Sequence, residues 1–332
     1  MQTRNNLTDV PDVLVGHATD PALGSGVTAI VFAVPTVVSV CVLGGAPGGR
    51  EQEMLAPEMT VATVDAVVLS GGSAFGLDAA GGVQAALRED GRATRVGSMV
   101  VPLVPQAILF DLLNGGNKNW GRYAPYRELG YAAARAAAAG PFALGSVGAG
   151  TGATTATVKG GVGTASMRTA SGHVVAAIAA VNAAASPTIG DSRHFWAAPF
   201  EVGTEFGGLG WPARMTADDV ALRLKRPPAQ PSTTIGLVAT DAALTKAQAK
   251  RLAIMAHDGL ARAVWPAHLP LDGDTIFAAA TGRVKLGDPL PALAQIGHAA
   301  AMVFARAVAR GVFEATALPW PGAQPAWRDR FG

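Results

Sequence analysis

Short, continuous apolar runs alternate with longer alanine-rich segments along this chain. The short runs are rich in β-branched residues, as expected for strands buried on both faces, and they fall at residues 66–69, 174–181 and 233–239. The longer segments have the length and composition of helices, and they fall at residues 76–87, 129–139, 245–264 and 289–315. Helices this apolar are suited to covering sheets, so the pattern predicts a layered α/β fold.

Two of these helices have clear starting signals. Thr245 is followed three positions later by Gln248, the spacing of a capping box. Asp288 precedes Pro289, and this pair is typical of the first turn of a helix. The sequence therefore predicts helices that begin near residues 246 and 289.

The longest uncharged stretch is residues 27–44, which is long enough to raise the question of a membrane-spanning helix. Its valines and other β-branched residues favour strands, and Pro35 lies at its centre. These features predict a buried hairpin with strands at residues 27–34 and 37–42.

Composition narrows the class of protein. The chain has 332 residues, of which 49% are apolar and only 15% are charged, so long disordered stretches are not expected. The formal net charge is +2 with no run of five like charges, which disfavours binding to nucleic acid or to an anionic membrane. The N-terminus has no apolar signal segment, and a cytoplasmic location is expected.

Metal and redox chemistry have little support in the sequence. The single cysteine, Cys41, excludes an internal disulfide and a cysteine-rich zinc site. None of the six histidines has a local metal-ligand spacing. The sequence predicts neither a cofactor nor a metal.

Glycine is enriched, with 41 residues, and it is clustered. Residues 148–153 have the G-x-G-x-x-A spacing of a dinucleotide site, but the flanking strand, helix and acidic residue of that motif are missing, so this function is disfavoured. Lys159 is the only charge between Arg135 and Arg168. It is either a solvated loop charge or a cation beside a reacting group. Residues 223–232 are charged and proline-rich, and a surface loop is expected there.

Five segments occur in an order that resembles a known family. They are VGHATD at residues 15–20, GGAPGGRE at 44–51, LSGGSAFGLDAA at 69–80, KGGVGTAS at 159–166 and DGDT at 272–275. Together they are similar to the P1 family of peptidases. That family contains L-aminopeptidase/D-amidase-esterases, β-peptidyl aminopeptidases and nylon-oligomer hydrolases.

The resemblance implies an αββα sandwich, built as a single domain and made as an inactive precursor. Self-cleavage would fall between Asp274 and Thr275, giving fragments 1–274 and 275–332, and Thr275 would become the nucleophile. The chemistry is consistent, because a threonine hydroxyl needs an adjacent base and the freed α-amine of the same residue is one. The reference pKa of about 7.7 to 8 leaves a substantial neutral fraction of such an amine near physiological pH.

The resemblance also implies further site residues. Asn182 matches an asparagine whose amide lines the oxyanion hole, a role that suits a donor that does not titrate. Lys159 matches a lysine that accompanies the nucleophile. Glu314 and Thr316 match two polar residues that orient the nucleophile's amine, although Thr316 departs from the acidic or serine residues common there. The family's tyrosine near the substrate is one of Tyr123, Tyr126 and Tyr131.

Two functions from different classes remain open at this stage, besides a ligand-binding shell that no longer cleaves itself. The first is an N-terminal-nucleophile hydrolase acting on N-terminal residues of peptides, amides or esters through an acyl-enzyme. The second is an acyltransferase of the ornithine-acetyltransferase type that uses the same threonine. The substrate can be an α-peptide, a β-peptide, a D-amino-acid amide or an ω-amino-acid oligomer. The resemblance also implies a homotetramer of cleaved protomers.

Overall fold

Two sheets and two pairs of helices form the body of the protein. The computed structural model describes residues 4–225 and 231–332. The strands are β1 Val13–Asp20, β2 Ser25–Val42, β3 Gly49–Arg50, β4 Val64–Ser70, β5 Arg95–Val96, β6 Met99–Val100, β7 Gln106–Ile108, β8 Val162–Arg168, β9 Val174–Asn182, β10 Thr233–Ala242 and β11 Thr275–Val284. The α-helices are α1 Ala79–Glu89, α2 Tyr126–Arg135, α3 Lys246–Ala261, α4 Pro289–Phe313 and α5 Trp327–Phe331.

The layers follow from which apolar side chains pack together. Inward-facing residues of both sheets, such as Ile30 and Leu69 from one and Ile178 and Phe277 from the other, form a common core. A second core lies between the outer face of the first sheet and helices α1 and α2. A third lies between the other sheet and helices α3 and α4. The order of layers is therefore αββα, which confirms the predicted fold class.

The hairpin predicted for residues 27–44 is wrong. Residues 25–42 form the single long strand β2, which pairs with β1 and β4 through its first half and with β11 through its second. Pro35 lies in the exposed stretch where the register shifts between Val31 and Thr36. A proline cannot donate to a ladder, and here it marks where one strand passes from the first sheet to the second.

The predicted helices are present, with shifted bounds. The capping box at Thr245 is confirmed, because its hydroxyl accepts from the Gln248 amide and the Gln248 side chain accepts from the Thr245 amide. Asp288 is the N-cap of α4, with Pro289 as the first helical residue. The surface loop predicted at 223–232 lies partly outside the described residues, which omit 226–230.

Helix α4 is long and apolar enough to cross a membrane by length and composition alone. Its most apolar window is 67% buried inside the protein, and it packs against β8 and β9. The apolar residues of α4 are therefore explained by the core between helix and sheet.

Strand directions bring two candidate residues to the same edge of one sheet. Strand β9 runs antiparallel to β10, and β11 runs parallel to β10. The C-terminal end of β9, at Asn182, therefore lies at the same edge as the N-terminal end of β11, at Thr275. One strand separates the two residues.

Candidate active site

The turn before Thr275 is held by the buried carboxylates of Asp272 and Asp274. Asp274 accepts hydrogen bonds from the amide of Thr234 at 2.9 Å, the amide of His268 at 3.0 Å and Nδ1 of His268 at 2.9 Å. Asp272 accepts from the amide of Ala184 at 3.0 Å. Burial, with the nearby Asp274 charge second, raises the pKa of Asp272 to about 6. Asp274 ties the turn to the start of β10, and Asp272 ties it to the segment that follows β9.

Thr275 is fully buried in the uncut chain. Its hydroxyl donates to the carbonyl of Gly273 at 2.9 Å, so the hydroxyl sits beside the peptide bonds of the turn. The predicted nucleophile is thus at a strand start, after a tight turn, as the sequence indicated.

The side chain of Asn182 has a fixed orientation. Its Oδ1 accepts from the Thr154 amide at 3.0 Å and from the Lys225 ammonium at 3.0 Å. The same ammonium donates to the Asn182 carbonyl at 2.9 Å. The Nδ2 group donates to the carbonyl of Phe110 at 2.9 Å. With both acceptor bonds on Oδ1, the amide N–H groups are directed away from Lys225.

Two buried lysines belong to this region, of which Lys225 contacts the Asn182 amide directly. Lys159 donates to the carbonyls of Gly150 and Gly160, each at 2.9 Å. Burial lowers the pKa of Lys159 to about 7, partly opposed by the charge of Asp111. Burial also lowers the pKa of Lys225 to about 7, opposed chiefly by Asp272. The solvated-loop interpretation of Lys159 is therefore wrong, because its side chain has no exposed surface.

Two adjoining cavities are lined by hydrogen-bond partners of Asn182, although Asn182 itself lines neither. One, of about 480 Å³, is lined by Asp111, Lys159 and residues of the C-terminal segment 318–325. The other, of about 490 Å³, is lined by Lys225 and shares Thr154 with the first. Asn182 bonds to Phe110 at one cavity and to Lys225 at the other. The uncut Thr275 lines neither.

Asp111 is a site residue that the sequence analysis missed. Its carboxylate accepts from the Ser25 hydroxyl at 2.6 Å and from the Gly72 amide at 2.8 Å, and burial raises its pKa. A side chain at Gly71 would collide with Asp111 and Ser25, which explains the glycine at this position of the 69–80 segment. The available signal was position: Asp111 ends the apolar run 107–110 and is the only acid between Asp90 and Glu128.

The three candidate tyrosines differ in their surroundings. The Tyr126 hydroxyl donates to Ser25 at 3.1 Å and so joins the Asp111 network. Tyr123 is 78% exposed, and Tyr131 bonds to Glu89 at the surface. Tyr126 is thus the tyrosine connected to the cavity.

The structure does not bring Glu314 and Thr316 into contact with Thr275. Glu314 lies at the C-terminal end of α4, where its carboxylate pairs with Arg328 at 2.8 Å. Thr316 is exposed, and its amide donates to the hydroxyl of Ser146 at 3.0 Å. Within residues 4–225 and 231–332, no hydrogen bond or ion pair joins either residue to Thr275. Their roles at the amine stay predictions.

In residues 4–225 and 231–332, no group of three or more histidine, cysteine or acidic side chains is arranged to hold a metal ion.

Comparisons with known proteins agree with this architecture. The model of peptidase family S58 matches residues 5–323. An uncharacterized aminopeptidase of Mycobacterium tuberculosis is 41% identical, with 98% of each chain covered. A 6-aminohexanoate-oligomer endohydrolase of Kocuria sp. is 27% identical over 84% of this chain and 75% of its own length.

Solved structures give the same fold. A β-aminopeptidase of Burkholderia sp. superposes with a TM-score of 0.70 at 25% identity, covering 99% of this chain and 92% of its own. The L-aminopeptidase D-Ala-esterase/amidase of Ochrobactrum anthropi, described as a variant of the Ntn hydrolase fold, superposes with a TM-score of 0.68 at 20% identity, covering 98% and 91%. The second likeness bears on the fold alone.

Proposed function

This chain belongs to peptidase family S58, the family that the five sequence segments indicated, and we propose that it is a self-processing aminopeptidase whose nucleophile is Thr275. Aminopeptidase activity is supported by the family match and by the names of the mycobacterial relatives. The observation that carries the finer proposal is the placement of Thr275. It opens a buried strand after a turn held by two carboxylates, at the sheet edge that also presents Asn182.

The proposed cycle begins after the Asp274–Thr275 bond has been cut. The neutral α-amine of Thr275 accepts the proton of its own hydroxyl, and the oxygen attacks the substrate carbonyl. The amide of Asn182 stabilises the negative charge that develops on the carbonyl oxygen. The amine then donates the proton to the leaving group, and water hydrolyses the acyl-enzyme. Apart from the substrate and water, these steps use only groups of this chain.

Asp111 supplies the feature that an aminopeptidase needs to select a free N-terminus. Its carboxylate lies in the cavity beside Asn182 and is anchored by Ser25 and Gly72. A substrate ammonium placed against it would be paired in a site partly shielded from water, where such pairing is stronger than in bulk solvent. We therefore propose substrates with a free amino group near the cleaved amide.

The experiment that tests this function uses p-nitroanilides of α-amino, β-amino and 6-aminohexanoic acids. The wild-type enzyme is expected to release p-nitroaniline from at least one of the three. Thr275→Ser is the matched control, because it keeps a hydroxyl nucleophile and an α-amine. Thr275→Ala is expected to be inactive on all three, and turnover by that variant comparable to wild type would contradict the proposal.

A further inference from the structure

The carbonyl oxygen of Asp274 is the acceptor of two backbone amides in the uncut chain. The amide of Leu43 donates to it at 3.1 Å, and the amide of Gly44 donates to it at 3.3 Å. Leu43 and Gly44 follow the end of β2, whose Val42 is paired with Thr275. Two consecutive amides therefore converge on the carbonyl of the bond that self-cleavage would break.

We infer that the amides of Leu43 and Gly44 form an oxyanion hole for self-cleavage, separate from the one that Asn182 supplies in turnover. This inference rests on the proposed self-processing at Thr275. Paired backbone amides aimed at a carbonyl oxygen are a recurrent means of stabilising the oxyanion of a tetrahedral intermediate.

Self-cleavage at this site is an acyl shift followed by hydrolysis. The Thr275 Oγ1 bonds to the carbonyl carbon of Asp274, and the carbonyl oxygen becomes an oxyanion facing Leu43 and Gly44. The bond from that carbon to the Thr275 nitrogen then breaks, and the hydroxyl proton ends on the nitrogen. Water hydrolyses the resulting ester. This step gives the α-carboxylate of Asp274, the new C-terminus of the larger fragment, and restores the Thr275 hydroxyl.

The surroundings hold this carbonyl in place. The Asp274 side chain is fixed by Thr234 and by two donors of His268. The Thr275 hydroxyl is held beside the same peptide bond by the Gly273 carbonyl. A side chain at Gly44 would collide with the backbone of Asp272 and Asp274, so only glycine lets the two segments approach this closely. The nucleophile, the carbonyl and the two donors are therefore ordered before the reaction begins.

In the uncut chain, the side chain of Asn182 makes its hydrogen bonds to residues other than Asp274. Its Nδ2 donates to Phe110, and its Oδ1 accepts from Thr154 and Lys225. No hydrogen bond between Asn182 and the carbonyl of Asp274 is present in the described residues. Maturation and turnover should therefore depend on different donors.

The test removes one N–H group at a time and follows fragment formation by mass spectrometry. Cell-free synthesis with α-hydroxy acids replaces a backbone amide by an ester. Gly44→glycolic acid deletes the donor to Asp274. Gly45→glycolic acid is the matched control, because the Gly45 amide donates to the carbonyl of Leu269 at 3.2 Å instead.

We expect the ester at Gly44 to slow self-cleavage by about 10²-fold, the usual loss for one oxyanion donor. The ester at Gly45 should mature within about threefold of wild type. Equal rates for the two esters, fast or slow, would overturn the inference, because the effect would then not depend on the donor to Asp274.

A second variant keeps the inference testable if the esters fold poorly. Asn182→Ala should be cut at the wild-type rate while its turnover collapses, and an Asn182→Ala precursor that stays uncut would overturn the separation of the two sites. A wild-type chain that never cleaves would refute self-processing itself. Cleavage of wild type that does not depend on the Gly44 amide would refute only the proposed oxyanion hole, so the two failures are distinguishable.

Discussion

The ammonium of Lys225 binds both oxygens of Asn182, the backbone carbonyl at 2.9 Å and the side-chain Oδ1 at 3.0 Å. Together with the hydrogen bond from Nδ2 to the Phe110 carbonyl, this double contact fixes the orientation of the amide, with Oδ1 toward Lys225 and Nδ2 toward Phe110. Lys225 is therefore a positioning residue for the proposed oxyanion donor.

Removing that contact should impair turnover only through Asn182. Lys225→Met is expected to lower kcat by about 10- to 100-fold, because misplacing a catalytic group by about 1 Å has effects up to that size. In an Asn182→Ala background the same change should alter kcat by less than about twofold, as coupled residues are not additive. Lys225→Arg should restore part of the loss.

The double-mutant cycle separates positioning from a general structural role. Independent, multiplicative losses in the two backgrounds would show that Lys225 acts elsewhere. Thermal unfolding of each variant shows whether the fold is retained.

Asn182 itself should matter for the rate of chemistry. Asn182→Ala and the isosteric Asn182→Asp both lose the amide donor and are expected to lower kcat by about 10²- to 10³-fold. Steady-state kinetics on fully cleaved enzyme measures the effect. Turnover of cleaved Asn182→Ala within about threefold of wild type would assign the side chain to holding Thr154 and Phe110 instead.

Lys159 should set the pH dependence of activity. If the α-amine of Thr275 is the base, kcat/KM rises with pH as that amine loses its proton, near 7.7 to 8 in the absence of other charges. A charged Lys159 disfavours a second positive charge and lowers the pKa of the amine. Because burial brings the pKa of Lys159 to about 7, this effect is strongest at and below neutral pH.

Lys159→Met should therefore shift the rising limb of the profile to higher pH. The profile is measured on cleaved enzyme with a substrate for which chemistry limits the rate. A limb that stays in place would show that Lys159 is too distant or too neutral to act on the amine. A profile flat from about pH 5 to 9 would exclude the amine as the base.

Glu314 provides a test of two alternative roles. If it orients the amine of Thr275, Glu314→Gln should lower the pKa of that amine and move the limb of kcat/KM to lower pH. If its role is the ion pair with Arg328, Arg328→Gln should reproduce every effect of Glu314→Gln. A shift in the limb for Glu314→Gln with none for Arg328→Gln supports the first role, and matching profiles contradict it.

Local pattern predicted the layers of this fold because each element agrees with its own sequence. The capping box at Thr245 and the proline at 289 define helix starts within one turn, so they could be read from a few residues. The long strand β2 could not be predicted in this way. A proline at position 35 is compatible both with a tight turn between two strands and with an exposed point where one strand passes between sheets. Only the pairing of β2 with β4 and β11 distinguishes the two.

The residues of the candidate site also differ in whether the sequence could indicate them. Thr275 lies in one of the five segments that resemble the family, and Asn182 matches a family asparagine, so the resemblance could indicate both. Lys225 lies in a charged, proline-rich stretch whose composition predicts a surface loop. In the structure it is buried, where it makes a hydrogen bond to Asn182 and interacts with the charge of Asp272, both distant in sequence. A contact made 43 positions away has no local signature.

The most direct test of the proposed nucleophile is the intact mass of the purified, active enzyme. Cleavage between Asp274 and Thr275 would leave a 58-residue fragment, about 5.9 kDa of the 33.6 kDa total when scaled by length, with Thr275 at its N-terminus. Self-cleavage at this bond predicts this fragment and its partner of about 27.7 kDa, and it predicts a single uncut mass for Thr275→Ala. An active wild-type sample that shows only the 33.6 kDa chain would contradict it.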